Sequence, residues 1–185
     1  MKNLDSGQAR NLEHNLTMKI DEVLNLYQDL EALEVNIYLD GGWGVDALLG
    51  KQTREYADVD IIIQECDLLI MHEYLKERGF KPVPRDDTCA WNFVLGDDAG
   101  REVDVHVIVF DEHKNGVYGP ARRGVMYPAE SLTGVGEISG VAVRCLTAEY
   151  QLDSYTGYEL KEKDRQDVMA LCAKFSLELP EAYGV

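Results

Sequence analysis

The stretch Asp58-Val59-Asp60-Ile61-Ile62-Ile63 sets the tightest limit on how this chain can fold. A β-branched run suits a buried strand, where branched side chains pack well on a pleated surface. The run nevertheless opens with two aspartates two positions apart, and alternation along a strand turns both to the same side. Neighbouring carboxylates repel, so such a pair is costly to hold without a cation between them. Magnesium suits it, a hard ion bound through one or two carboxylates together with substrate phosphates. A lone Asp-x-Asp is also what a solvated strand end looks like, and the surrounding sequence has to distinguish the two.

Around that strand, helical and extended patterns alternate. From Asn11 to Leu33, the residues Leu12, Leu16, Ile20, Leu24, Tyr27, Leu30 and Leu33 recur at steps of three and four, the stripe of a long amphipathic helix. Val35–Leu39 reads as a short strand entering a Gly41-Gly42 turn, and Trp43–Leu49 as a short helix closed by Gly50. A helix over Asp67–Arg78 stops at Gly79; strands over Ala90–Leu95 and Arg101–Phe110 flank the turn-rich residues 96–100. Asp111–Pro120 reads as polar loop and Glu137–Arg144 as a hairpin turning at Ser139-Gly140. Thr147 is the expected cap of a helix over Ala148–Tyr155, and Asp164 that of a last helix reaching Phe175. No internal repeat, low-complexity tract or linker interrupts the pattern, so residues 11–185 are expected to form one α/β domain behind a flexible lead-in at 1–10.

Charge narrows the partners. Thirty-four acidic residues against 18 basic ones give a formal net charge of −16. That field repels polyphosphate backbones, so nucleic acid is not an expected partner, whereas a small cationic substrate is drawn inward. No run of eighteen apolar residues marks a membrane span, and Met1–Arg10 lacks the apolar centre of a signal peptide. The four cysteines, Cys66, Cys89, Cys145 and Cys172, are far apart with no paired spacing. That argues against a zinc site or disulfide framework and for a reducing, cytoplasmic setting.

Two further features bear on chemistry. Gly41-Gly42 lets the backbone approach a ligand closely, and the helix that follows offers free N–H groups to phosphate; a purely structural turn has the same appearance. In Glu102-Val103-Asp104-Val105-His106, the residues Glu102, Asp104 and His106 share one strand face. Asp104, amid an apolar strand, needs a partner, which a metal or a substrate hydroxyl would provide.

The order of these features carries more than any one of them. Leu39-Asp40-Gly41-Gly42-Trp43-Gly44-Val45-Asp46, then Arg54, then Asp58-Val59-Asp60, closely resembles the lincosamide and aminoglycoside antibiotic nucleotidyltransferases of the DNA polymerase β-like nucleotidyltransferase superfamily. The likeness continues through Val103-Asp104-Val105-His106, Leu132-Thr133-Gly134, Val143-Arg144-Cys145, Thr156-Gly157-Tyr158-Glu159-Leu160 and Asp164 to Asp167. It implies an α/β (α+β) fold, a small mixed twisted sheet flanked by helices. The activity it implies is magnesium-dependent transfer of AMP from ATP, or of another nucleoside monophosphate from its NTP, to a hydroxyl of a small cationic antibiotic, with release of pyrophosphate.

Residue by residue, the resemblance assigns Gly41 and Gly42 to the triphosphate, Asp58 and Asp60 to magnesium, and Asp104 to a third carboxylate serving as metal ligand, general base or both. Arg54 would neutralise the leaving pyrophosphate or form a salt bridge to Asp46 or Asp40. Asp46 would help hold the nucleotide or bond the turn, and His106 is either a second base or an oriented structural histidine. Lys51, Arg122 and Arg123 are other phosphate candidates. Trp43 and Trp91 are expected in the core or stacked on a base or an aromatic substrate edge, and Asp97 and Asp98 as solvated hairpin residues. Asp164, Arg165 and Asp167 would reach the nucleotide or serve helix capping and surface pairing. Two alternatives stay open: a nucleotidyltransferase modifying a protein hydroxyl, of toxin–antitoxin or regulatory type, and an inactive nucleotide-binding member. The three intact carboxylates argue against the latter. A homodimer through the N-terminal helix and cover of its own sheet by that helix both fit the pattern.

Overall fold

The computed structural model describes residues 17–120, 124–156, 161–180 and 183. In chain order its elements are α1 (Ile20–Ala32), β1 (Ile37–Asp40), α2 (Gly41–Leu49), β2 (Asp58–Gln64), α3 (Leu68–Glu77), β3 (Lys81–Val83), β4 (Asn92–Gly96) and β5 (Glu102–Phe110). Then follow β6 (Gly116–Tyr118), β7 (Val125–Tyr127), β8 (Gly134–Ile138), β9 (Val141–Cys145), α4 (Ala148–Ser154) and α5 (Glu162–Phe175). The described strands form one mixed sheet in the order β3-β4-β5-β2-β1-β9-β8, with β6 and β7 extending the far end of β5. β2 runs parallel to β5 and antiparallel to β1.

Alternation along β2 and β5 divides the apolar residues between two clusters. Val59, Ile61 and Ile63 of β2 and Val103, Val105 and Val107 of β5 join the main core. Val23, Leu26 and Leu30 of α1, Trp43 and Val45 of α2, and Met71 and Leu75 of α3 complete it. On the other face Ile62 and Ile108 join a smaller cluster with Tyr127, Leu132 and Leu146, flanked by Tyr38, Phe110, Tyr118 and Tyr150. β2 is therefore apolar on both faces beyond its first turns, as a central strand must be.

Several elements depart from expectation, each for a local reason. Leu12 and Leu16 lie outside the described residues, as does the lead-in at 1–10. α1 begins only at Ile20, because Met18 bridges to Tyr56 (N to carbonyl O, 2.6 Å) and so leaves the helical path. β3, β6 and β7 were not expected; each has three residues, too few for alternation to show. β6 falls in the stretch read as polar loop, where Asp111 closes a tight turn by accepting the N–H groups of His113 and Asn115. Asp164 does not cap α5 from outside. It lies in the first turn and accepts the N–H of Lys161, the actual cap position, at 2.8 Å. Asp97 is not a solvated residue, since its side chain is 6% exposed and paired with Arg101.

Trp43 is buried, and its indole N–H donates to the carbonyl of Asp58 at 3.1 Å, tying α2 to the first residue of β2. Trp43→Phe keeps most of the packing but orphans that carbonyl, a loss of about 1–3 kcal/mol. The thermal midpoint should fall by about 2–4 °C per kcal/mol. An unchanged midpoint in a thermal melt would mean that this tie contributes nothing to joining helix and strand.

Candidate active site

Strand register builds the site. Asp40 at the end of β1 lies opposite Asp60 in β2, and Asp60 lies opposite Asp104 in β5. Three aspartates thus form a row across adjacent strands, all on the face away from the main core. Asp58 lies two residues back, opposite Glu102. Glu102 is already satisfied, because Arg85 Nη2 donates to its two oxygens at 2.6 and 2.7 Å.

Ligand atoms of Asp60, Asp104 and His106 lie within 4.8 Å of one another, a spacing that could hold a metal ion. Asp58 is outside that group. Asp104 Oδ1 and His106 Nδ1 are buried with no hydrogen-bond partner among the described residues. Orphaned buried polar atoms are unusual and mark places where a ligand completes the shell. The oxygens suit magnesium, while the imidazole nitrogen is the donor magnesium prefers least.

The electrostatics agree with the geometry. Burial pushes Asp60 well above the ordinary carboxylate value, and the charges of Asp40, Asp58 and Asp104 push it further; Lys163 opposes them. Asp104 is raised by burial and by Asp58, Asp87 and Glu102, against the lowering effect of His106. Burial also raises Asp40, opposed by His106, the Gly41 N–H and Gln151.

Gly41 and Gly42, expected as a turn ahead of a helix from Trp43, are instead the first two residues of α2, and the start of that helix belongs to the same structure. Asp40 accepts the Gly41 N–H at 2.7 Å, so the strand's last residue caps the helix that follows. Gly41 has φ +54°, and a Cβ there would fall 2.2 Å from Asp60 Oδ2; at Gly42 it would fall 2.0 Å from the Tyr56 ring. Only glycine at 41 lets the start of α2 lie against the acid row.

The remaining candidates divide. Asp46 is buried, and both of its oxygens accept from Thr53, which fixes the loop after α2. Arg54 pairs with neither Asp46 nor Asp40. Its Nη1 donates to Asp167 of α5 at 2.5 Å, a contact separated by 113 positions that no local pattern could reveal. Asp167 is accordingly buried, which departs from the surface-pairing alternative of the expectation that it reaches the nucleotide, caps the helix or pairs at the surface. Trp91 is half-buried against the core, and Lys51 is exposed. Arg122 and Arg123 lie outside the described residues, as do Gly157 to Leu160.

Other residues at the site went unread in the sequence. Asp40, expected only as an ion-pair partner of Arg54, instead caps α2 and joins the acid row. An aromatic series leads away from the acid row: His106 to Tyr118 (ring centroids 5.7 Å apart), Tyr118 to Tyr127 (6.2 Å) and Tyr127 to Tyr150 (5.4 Å). Tyr118 donates its hydroxyl to Asn92 at 2.8 Å, and burial with nearby negative charge pushes its phenol to about 12. An aromatic wall beside carboxylates is suited to a cation with an apolar face.

A family model described as aminoglycoside-2''-adenylyltransferase matches residues 22–171. A lincosamide resistance protein from Staphylococcus haemolyticus is 27% identical over 161 residues, 85% of this chain and 96% of that protein. The structure of lincosamide antibiotic adenylyltransferase LnuA, lincomycin-bound, superposes with a TM-score of 0.74 at 25% identity, over 84% of this chain and 97% of that one. ANT(2'')-Ia in complex with adenylyl-2''-tobramycin gives a TM-score of 0.67 at 17% identity, over 84% and 88% of the two chains, a likeness of fold. That fold is the polymerase β-like nucleotidyltransferase fold. No described helix is long and apolar enough to cross a membrane.

The raised carboxylates have a consequence for stability. Folded Asp60 holds its proton more tightly than the unfolded chain, whose value is near 3.8. Its contribution to stability is therefore lost as pH rises from there through the folded-state value. Asp60→Asn removes that loss. In metal-free buffer at mildly alkaline pH its thermal midpoint should exceed the wild type's, and the two should converge in acid. Magnesium should raise the wild-type midpoint and leave the variant's in place. An Asn variant less stable than wild type without metal would mean that hydrogen bonds, not relieved repulsion, govern the row.

Proposed function

Since the chain belongs to the aminoglycoside-2''-adenylyltransferase family, we propose that it transfers AMP from ATP to a hydroxyl of a small amine-bearing antibiotic, a lincosamide or an aminoglycoside. It is an antibiotic nucleotidyltransferase; the donor, the metal, the hydroxyl acceptor and the released pyrophosphate are our reading of its site. The observation that carries this reading is the cluster of Asp60, Asp104 and His106, with two orphaned donor atoms, directly against the Gly41–Gly42 turn.

Asp60 and Asp104, with Asp58 beside them, would hold magnesium, which when bound supplies positive charge at the α-phosphate and relieves the repulsion within the row. Gly41 and Gly42 present the first turn of α2 to the triphosphate. Asp104 takes the proton of the acceptor hydroxyl as that oxygen bonds to the α-phosphorus and the bond to the pyrophosphate oxygen breaks. Burial and neighbouring charge raise Asp104, which makes it a better base than an ordinary aspartate. His106 is assigned to orienting the acceptor hydroxyl by a hydrogen bond, since its nitrogen is a poor match for magnesium. Asp46 acts at one remove, by fixing the Thr53 loop that presents Arg54. The half-buried rings of Tyr118 and Tyr150, backed by buried Tyr127, receive the acceptor, with its amine toward the acid row.

Pyrophosphate release from ATP and magnesium, assayed across lincosamides and aminoglycosides, tests this. At least one antibiotic should support turnover; Asp60→Asn and Asp58→Asn should abolish it, and Asp104→Asn should lower kcat by about 10²–10⁴-fold. Near-normal turnover in Asp104→Asn with saturating nucleotide and magnesium would remove Asp104 from the role of base. Silence across the panel despite bound nucleotide would move the search to protein hydroxyls. Tyr118→Ala should raise KM for the antibiotic by about tenfold while leaving KM for ATP in place, as expected for loss of one aromatic contact to a cation.

A further inference from the structure

Asp167 lies midway along α5 with its side chain 1% exposed, and Arg54 lies in the loop before β2 at 23%. Both carboxylate oxygens are occupied: Oδ1 accepts from Arg54 Nη1 at 2.5 Å and Oδ2 from the Tyr155 hydroxyl at 2.9 Å. Tyr155 is held in turn, its carbonyl accepting the Tyr183 hydroxyl at 3.0 Å. On its other side the Arg54 guanidinium lies over the Tyr56 ring, 4.5 Å from the centroid. That ring is also what a Cβ at Gly42 would strike. A continuous series of contacts therefore runs from the middle of α5 through Arg54 and Tyr56 to the glycine turn.

A buried ion pair seldom stabilises a fold more than apolar side chains of the same size would. What this one provides is direction. Arg54 makes no other side-chain hydrogen bond among the described residues, so the rest of its planar fork is free to meet phosphate oxygens. Lys163 is four residues before Asp167, on the same face of α5, and its charge acts on Asp60.

We propose that Asp167 is a positioning residue of the nucleotide site. It aims the Arg54 fork at the glycine turn and docks the α5 face that carries Lys163, so that both cations meet the pyrophosphate end of the nucleotide. This rests on the reading of the Gly41–Gly42 turn as a triphosphate site.

The test is equilibrium binding of a non-hydrolysable ATP analogue with magnesium, and separately of AMP, to the full chain. Wild type, Arg54→Gln, Asp167→Asn and the double variant are compared. Each single substitution should weaken the analogue by about tenfold, the loss of a charge-assisted contact, and leave AMP unchanged. The double variant should be no weaker than the worse single one, because Asp167 acts through Arg54. Losses of the analogue that multiply in the double variant, wild-type affinity in Asp167→Asn, or equal weakening of AMP would each overturn the proposal. Should Asp167→Asn fail to fold, Tyr155→Phe removes only the second donor, and about twofold weaker analogue binding with unchanged AMP is the supporting result; unchanged analogue binding overturns it. Wild type binding AMP but gaining nothing from the triphosphate would instead remove the reading of the glycine turn, and this proposal with it.

Discussion

The parallel pairing of β2 with β5, held in register over seven residues, is the constraint from which the site follows. It places Asp60 beside Asp104, and antiparallel β1 adds Asp40 on the other side. A slip of one residue would drive the aspartates into the main core and turn its valines and isoleucines outward. Val59, Ile61 and Ile63, opposite Val103, Val105 and Val107, make that slip prohibitive. The hydrophobic effect on one face thus enforces a charge arrangement on the other that no local preference would choose.

That arrangement differs from the molecule's other acids. Glu102 has Arg85, Asp97 has Arg101, Asp167 has Arg54, and Asp46 has the Thr53 hydroxyl and amide. Among the described residues no lysine or arginine pairs directly with Asp40, Asp60 or Asp104. Burial raises all three, and like charge pushes Asp60 and Asp104 further. A protein that satisfies its other buried acids, Asp46, Asp164 and Asp167, and leaves one row unpaired concentrates its electrostatic cost where an incoming cation would relieve it.

Much of this was legible in the sequence, and the boundary is physical. The β2 run, the short helix after the glycines and the shared face of Asp104 and His106 follow from periods of two and 3.6 residues, which are local. Asp40 escaped because its role arises from pairing between strands. The partner of Arg54 escaped because the contact spans 113 positions, and three-residue strands such as β6 and β7 are too short to show a period. Asp164 was recognised as a capping residue but misplaced by one turn, since a carboxylate in the first turn can reach back to the preceding N–H.

The same geometry resolves an apparent conflict between a net charge of −16 and an anionic donor. Charges around the row are segregated. Lys163 of α5 acts on Asp60, and under the proposed role of Asp167 the Arg54 guanidinium would join it on the side of the α2 start, which also favours phosphate. On the opposite side, no cation among the described residues lies over the rings of Tyr118, Tyr127 or Tyr150, and the net negative charge favours an amine there. Under the proposed function, a triphosphate and an amine-bearing acceptor would have different preferred approaches to one row of carboxylates. Each would be disfavoured at the other's place, and on that reading the hydroxyl and the α-phosphorus would meet only where the two approaches converge, at Asp60 and Asp104.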